Sequence, residues 1–261
     1  MIELKRDDAG YAHIVALSGG KDSTAMALRL AEIEPDTPYT YVCTPTGDEF
    51  PEMFEHWRRL GERLGSRLLP ITGSTLKTIC EQEKALPNWH MRFCTKLLKI
   101  NPFKTFLLGA IPAVSYVGLR ADEEDRAGVD WSPSHYGGSA KLSAPGAVEQ
   151  RYPLREWVWG IADVLDYLNA QGIEIPPRTD CVRCFYQTLG EWWKLWSYHR
   201  ELYADAEAME AKFGHTFRSP SRDSWPASLA ELRRKFEAGQ VPRNANQLDL
   251  FRRATCRVCT L

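Results

Sequence analysis

The sequence predicts an α/β fold: a parallel sheet with helices on both faces, followed by a mainly helical C-terminal appendage. Three observations lead there. Short β-branched or aromatic runs recur through the first 120 residues. Segments rich in good helix formers separate them, and the first run meets a glycine pair where a helix begins. Strands alternating with helices imply βαβ crossovers, which build parallel sheets.

The elements follow in order. His13-Ile-Val-Ala-Leu-Ser18 is an apolar strand ending in the tight turn Gly19-Gly20. From Ser23 to Ile33 the residues favour helix, and the run stops before Pro35. Tyr39 to Thr44 is a second strand, Pro51 opens a helix to about Leu64, and Arg67 to Ile71 is a third strand. Thr95 to about Leu108 reads as helix, with Pro102 near its start, and Ala113 to Gly118 as a buried strand. Gly128 to Gln150, with its Gly, Ser and Pro residues, reads as a surface excursion or lid. Tyr152 to Trp157 leads into a helix from Ile161 to Ala170, closed by Gly172 and Pro176-Pro177. Helices are expected at Thr188–Phe213 and Ser228–Glu237. Residues 1–177 carry 19 Lys+Arg against 24 Asp+Glu, and residues 178–261 carry 14 against 10. That change places a nucleotide-type domain in 1–177 and a helical, cysteine-bearing region in 178–261.

With 261 residues, 44% hydrophobic and 26% charged, the chain has an ordinary globular composition, which excludes wholesale disorder. A net charge of −1 supplies no global field for nucleic acid or anionic membrane. No apolar run reaches the ~18 residues of a membrane span, and the N-terminus has no signal core, so a soluble, cytoplasmic protein is expected. Seven cysteines include two C-x-x-C pairs, Cys181/Cys184 and Cys256/Cys259, which in a reducing compartment point to metal or redox chemistry.

The chemistry concentrates in Ser18-Gly19-Gly20-Lys21-Asp22-Ser23. Two glycines let backbone approach an anion, and the free amides and positive dipole end of the following helix face it. Ser18 and Ser23 add hydroxyl donors and Lys21 a point charge. Asp22 would be repelled by bare phosphate, so it suggests a bridging Mg²⁺. No glycine lies five residues before the Gly20-Lys21 pair, so this is not a Walker A loop.

S-G-G-x-D-S after a strand resembles the pyrophosphate loop of the N-type ATP pyrophosphatases, which adenylate a substrate and release pyrophosphate. Thr46-Gly47-Asp48-Glu49-Phe50-Pro51-Glu52, Gly118 to Arg126, and Tyr152 to Trp157 with Ile175-Pro176 are similar to segments of phosphoadenosine phosphosulfate (PAPS) reductases. The first of these is also similar to a segment of the ATP sulfurylase small subunit. The resemblance covers roughly residues 12–190 and implies an adenine nucleotide α-hydrolase-like fold, with five parallel strands and the nucleotide at their carboxyl edge. It assigns Ser18 to Ser23 to the phosphates, Asp48 to Mg²⁺ or a nucleotide hydroxyl, and Arg120 and Arg126 to phosphate clamps. The bland reading of Arg126 with Glu123 and Glu124 is a surface ion-pair network. PAPS reductases commonly have a Ser-Phe-Gly-type loop and a C-terminal Glu-Cys-Gly motif. This chain has neither, which favours ATP as its nucleotide.

By the same resemblance, Cys94, Cys181 and Cys184 stand where iron–sulfur members have cluster cysteines. A fourth ligand to a 4Fe-4S cluster would be Cys259 or Cys256, the other thiol acting catalytically on sulfur. The competing site is tetrahedral zinc held by Cys181, Cys184, Cys256 and Cys259. Cys43 reads as a core residue, and Cys80 carries no signal. Trp192, Trp193 and Trp196 fit either a helix face on a core or a stacking platform, with core favoured. His90, Lys96 and Lys99 are open between site lining and surface.

The first function implied is an ATP-dependent sulfur transfer that uses Lys21, Asp22, Arg120 and Cys256. Its partners would be a sulfur donor or reductant protein and an acceptor that nucleic acid could supply. The alternatives are PAPS or adenosine phosphosulfate reduction to sulfite, and a non-catalytic zinc-containing nucleotide- or nucleic-acid-binding module.

Overall fold

The computed structural model describes residues 4–123, 125–134, 138–243 and 245. In chain order the elements of the first half are β1 (Ala12–Ala16), α1 (Lys21–Ile33), β2 (Tyr39–Cys43), α2 (Pro51–Arg63), β3 (Leu69–Pro70) and α3 (Leu76–Glu83). Then come α4 (Phe93–Thr95), a π-helical turn (Lys96–Ile100), α5 (Asn101–Ala110), β4 (Ala113–Tyr116) and β5 (Val148–Arg151). The chain continues through α6 (Pro153–Glu156), α7 (Ile161–Ala170), α8 (Leu189–Tyr198), α9 (Arg200–Phe213) and α10 (Leu229–Glu237).

The five strands pair in parallel in the order β3-β2-β1-β4-β5. Strand periodicity then sorts side chains to two faces. Val15, Tyr41, Cys43, Val114 and Tyr116 pack with Met26 and Leu30 of α1, Leu154 of α6, and Val164 and Leu168 of α7. The alternate residues Ala12, Ile14, Val42 and Ala113 pack with Phe103, Leu107 and Ala110 of α5, and with Trp131 and Leu142. The expected parallel sheet with helices on both faces is therefore present, as are the C-terminal helices.

Four local expectations are corrected. The 128–150 excursion delivers β5, an edge strand whose Val-Glu-Gln-Arg sequence has almost no apolar signal. The third strand shrinks from five residues to Leu69–Pro70. An unforeseen helix, α3, is capped by Thr75, whose side chain accepts from the amide of Thr78. The helix expected from Thr188 to Phe213 is two, because the chain breaks at His199, whose backbone is non-helical at φ −134° and ψ 62°. Thr188 and Glu191 form a reciprocal capping box at the start of α8.

A third apolar cluster joins the two halves. Phe50, which precedes α2, and Met53 of α2, with Leu76 and Ile79 of α3, pack against Trp192, Leu195, Tyr203, Met209, Leu232 and Phe236. Trp192 is fully buried, and Trp193 and Trp196 pack against the same cluster, which is the core reading of those tryptophans. No helix among the described residues is long and apolar enough to cross a membrane.

Candidate functional site

Strand order reverses between β1 and β4, so the loops after these two strands flank a crevice at the carboxyl edge of the sheet. Ser18 to Gly20 forms one wall. Gly19 has φ +86°, a left-handed conformation that glycine adopts without strain. Two of the three loop carbonyls are tied back by α2: Trp57 Nε1 donates to Ser18 O at 3.0 Å, and His56 Nε2 to Gly19 O at 3.0 Å. A carbonyl only accepts, so His56 carries its proton on Nε2, and burial lowers its pKa, favouring the neutral ring. With the carbonyls held against α2, the amides of the first turn of α1 are left for an anion. The Ser18 and Ser23 hydroxyls lie 3.0 Å apart and close the loop.

Gly118, just past β4, forms the other wall. A Cβ there would lie 3.1 Å from Ser23 N and 3.2 Å from Ser23 Cα, so the backbone after β4 rests directly on the start of α1. This contact brings Arg120 to Asp22, Nη1 to Oδ2 at 2.9 Å, and Lys21 Nζ reaches the same oxygen at 3.1 Å. Asp22 Oδ1 is buried with no hydrogen-bond partner. A buried carboxylate oxygen without a donor, beside phosphate-binding amides, suits Mg²⁺. Arg120 also pairs with Asp122 at 2.8 Å, and Arg126 with Glu123 at 3.1 Å. In this structure both arginines are therefore engaged by carboxylates. Glu123 is buried and accepts from the amide of Arg120, so it belongs to the loop's internal scaffold. Arg155 supports the same loop from α6, donating to Glu123 O at 3.0 Å.

Asp48 is engaged by the turn that carries Cys181 and Cys184. It is buried, and Arg183 Nε donates to Asp48 Oδ1 at 2.7 Å while the Arg183 amide donates to Oδ2 at 2.9 Å. The Val182 amide donates to Asp48 O at 2.6 Å. Asp48 thus holds the turn Cys181-Val-Arg-Cys184 against the end of β2. Burial raises its pKa and Arg183 opposes that shift.

Cys94, Cys181 and Cys184 line one pocket with Thr46, Lys99, Arg183 and Phe185. Cys181 Sγ is 3.2 Å from Thr46 Oγ1. Burial pushes the Cys181 thiol up to about 12 and Cys184 well above its ordinary value, and it also raises Cys94. The Lys99 ammonium opposes the shift at Cys94 and Cys181. The donor set suits a soft, thiophilic centre, but no three His, Cys, Asp or Glu side chains among the described residues are gathered as a metal group. Cys256, Cys259 and Glu124 lie outside the described residues.

Residues 12–193 match the family model described as the phosphoadenosine phosphosulfate reductase domain. The chain belongs to that family. No curated protein matches it. Among solved structures, a PAPS reductase from Candida auris in its phosphate complex is similar at 13% identity and a TM-score of 0.44, over 62% of this chain and 74% of that one. The U34-tRNA thiolase NcsA from Methanococcus maripaludis, with its 4Fe-4S cluster, is similar at 18% identity and 0.45, over 95% of this chain and 80% of that one. Likeness this distant carries nothing about activity.

For a PAPS reductase family member, the sequence motifs marked the loop and the three pocket cysteines, and four residues went unmarked. His56 and Trp57 hold the loop from a helix whose pattern reads as ordinary amphipathic surface. Arg183 sits inside a C-x-x-C pair that drew attention to its cysteines only. Thr179 sits 3.7 Å, by its Oγ1, from the place a Cβ would take on Gly20, so the strand of chain leading to Cys181 starts at the phosphate loop.

Proposed function

We propose that this protein is an ATP-dependent sulfur-transfer enzyme. Mg·ATP binds with its phosphates on the amides of Ser18 to Ser23. An acceptor oxygen attacks the α-phosphorus; the new P–O bond forms as the bond to pyrophosphate breaks, and pyrophosphate leaves. Sulfur at the sulfide level, brought by a donor protein, then displaces AMP, which departs with the former acceptor oxygen.

The observation that carries this reading is the adjacency of two sites. Thr179 Oγ1 lies 3.7 Å from the place a Cβ would take on Gly20 and Cys181 lines the thiol pocket, and two residues of chain span no more than about 7 Å. A phosphate cradle and a group of thiols so close together suit a reaction that activates with one and delivers sulfur at the other.

The chain's own groups have separate tasks. Lys21 and the loop amides stabilise charge developing on the phosphates. Asp22, whose Oδ1 has no hydrogen-bond partner, would hold Mg²⁺. Arg120 fixes the Asp22 carboxylate through the 2.9 Å ion pair and adds positive charge behind it. Cys94, Cys181 and Cys184, with Cys259, would hold an iron–sulfur cluster, whose chemistry would be to bind sulfide on iron. Cys256 remains as the thiol that handles sulfur, and the acceptor is a nucleic acid.

The family match favours one second reading, reduction of PAPS or adenosine phosphosulfate to sulfite with Cys256 as nucleophile. Anaerobically purified protein given labelled Mg·ATP should release pyrophosphate, and Asp22→Asn should slow release by roughly a hundredfold or more. Sulfite formed from PAPS and thioredoxin, with no pyrophosphate from ATP, would replace the first reading by the second. Nucleotide binding with neither product would leave a binding module.

A further inference from the structure

The turn that carries two of the pocket thiols is closed by its own backbone, the Cys184 amide donating to Cys181 O at 3.2 Å. Its central peptide joins Val182 to Arg183, and both ends of that peptide are bonded. The Arg183 amide donates to Asp48 Oδ2 at 2.9 Å, and Val182 O accepts from Gln187 Nε2. Rotation of the central peptide is the motion that separates one class of β-turn from another, and it would change how the flanking side chains are spaced. With one end on Asp48 and the other on Gln187, that rotation is blocked.

Gln187 is 1% exposed and has every group in use. Its Oε1 accepts from Arg178 Nη1 at 2.8 Å, and its backbone amide donates to Cys184 O at 3.1 Å. A guanidinium only donates and a carbonyl only accepts, so the carboxamide has a single orientation. It is also anchored from two directions. It precedes Thr188, the cap of α8, and Arg178 Nη1 lies 3.8 Å from Oε1 of Glu191 in the same capping box. From the loop between α9 and α10, Arg222 Nη1 donates to Gln187 O at 2.7 Å, and Nη2 to Tyr186 O at 3.3 Å. The start of α8 is thereby coupled through one side chain to the peptide between Cys181 and Cys184, which line the same pocket as Cys94.

We propose that Gln187 is a positioning residue for the Cys181–Cys184 thiol pair, fixing the central peptide of the turn so that both thiols meet one thiophilic metal centre. Its part in catalysis rests on the sulfur-transfer reading, but the positioning does not.

The test is titration of the reduced, anaerobic full chain with Cd²⁺ alone, without nucleotide, read by thiolate-to-cadmium ultraviolet absorbance beside a thermal melt of each protein. Wild type should bind, and the double substitution Cys181→Ser with Cys184→Ser should remove the signal. Gln187→Glu keeps the side chain's size and the acceptor facing Arg178, but sets an acceptor against Val182 O. It should bind Cd²⁺ about 10- to 100-fold more weakly, the range for losing an outer-shell partner of a metal ligand. Arg222→Ala, at an exposed arginine, keeps the test open should the buried substitution prevent folding. It should weaken Cd²⁺ binding by less, in a protein that still melts cooperatively. No uptake by wild type, a signal that survives loss of both cysteines, or wild-type affinity in either folded variant would overturn the proposal. A lower melting temperature with unchanged affinity counts among these, since it would make Gln187 a packing residue only. Pyrophosphate release from labelled Mg·ATP is a separate measurement, and its absence would end the sulfur-transfer reading while leaving the Cd²⁺ result standing.

Discussion

Glu210 shows what burial does to a carboxyl group whose oxygens are held by backbone amides. It is 6% exposed, its two oxygens accept from the amides of Phe217 and Leu229, and its pKa rises from 4.5 to about 7, chiefly through burial. The sign follows from proton linkage. Between these two values the folded state holds a proton that the unfolded state has lost, so raising the pH favours unfolding. The stabilisation is complete below 4.5 and is lost as the pH climbs to about 7. At ~1.4 kcal/mol per unit the full shift amounts to roughly 3–4 kcal/mol. His56, whose pKa burial lowers, has the opposite slope, with stability present above its ordinary 6.5 and lost as the pH falls. Denaturant melts of wild type and Glu210→Gln at about pH 5 and about pH 8 therefore isolate Glu210, because His56 contributes equally to both proteins. Wild type should lose about 2–3 kcal/mol more than the variant over that interval, and equal losses would show that Glu210 does not titrate there. Residue type announces such groups poorly. Asp48 was legible in its motif, yet its partner lies 135 positions later at Arg183. What a lone sequence omits is the long-range partner that decides whether a carboxylate faces a metal, a nucleotide or a guanidinium.

Gly118 shows how one element depends on another's backbone. It lies where β4 ends, and an added methyl would sit 3.1 Å from Ser23 N, 3.2 Å from Ser23 Cα and 3.3 Å from Asp22 C. None of these is the end of a flexible side chain, so the loop after β4 and the first turn of α1 must separate by a few tenths of an ångström. That displacement acts on the Arg120–Asp22 ion pair and on the amides offered to phosphate. Gly118→Ala should cost about 1–3 kcal/mol of stability, as overpacking does, and raise the KM for ATP in the pyrophosphate assay severalfold. An unchanged KM would show that the two walls tolerate independent movement. The strands and helices around this crevice were readable because each carries its own periodicity. β1 is followed closely by two glycines, and α1 is rich in Ala and Leu and stops before Pro35. β5 was not readable, since Glu149, Gln150 and Arg151 mark no buried face and the strand is made by pairing with β4. Nor was the division at His199, where helical residues continue on both sides and tertiary packing turns the chain.

The apolar side chains of the described residues form four clusters, and the third described above decides whether residues 178 onward are separable. Change of charge and the prolines at Pro176-Pro177 suggested a boundary there, which is sound local reasoning. One apolar cluster spans that boundary. Phe50, Met53, Leu76, Ile79, Leu86 and Leu98 come from before the boundary, and they share a cluster with Trp192, Leu195, Tyr203 and Phe236 from after it. Cutting the chain after 177 would uncover those six side chains together. At roughly 2 kcal/mol for each buried large apolar side chain, the loss is of order 12 kcal/mol. That is comparable with the whole stability of an ordinary domain, about 5–15 kcal/mol. The cut would also remove Arg183, leaving the Asp48 carboxylate buried without its guanidinium, and Thr179 from beside Gly20. Residues 1–177 expressed alone should therefore give no cooperative thermal transition and no nucleotide binding, whereas the full chain gives both. A fragment that melts cooperatively and still binds Mg·ATP would show that the sheet with its two covering layers is self-sufficient. The helices after 177 would then be an added module, and the thiol pocket would have to be understood as an interface between two units. The expected failure of the fragment makes the phosphate loop and the pocket parts of one folding unit, in which the helices that complete the third cluster also hold Cys181 and Cys184 in reach of the phosphate loop.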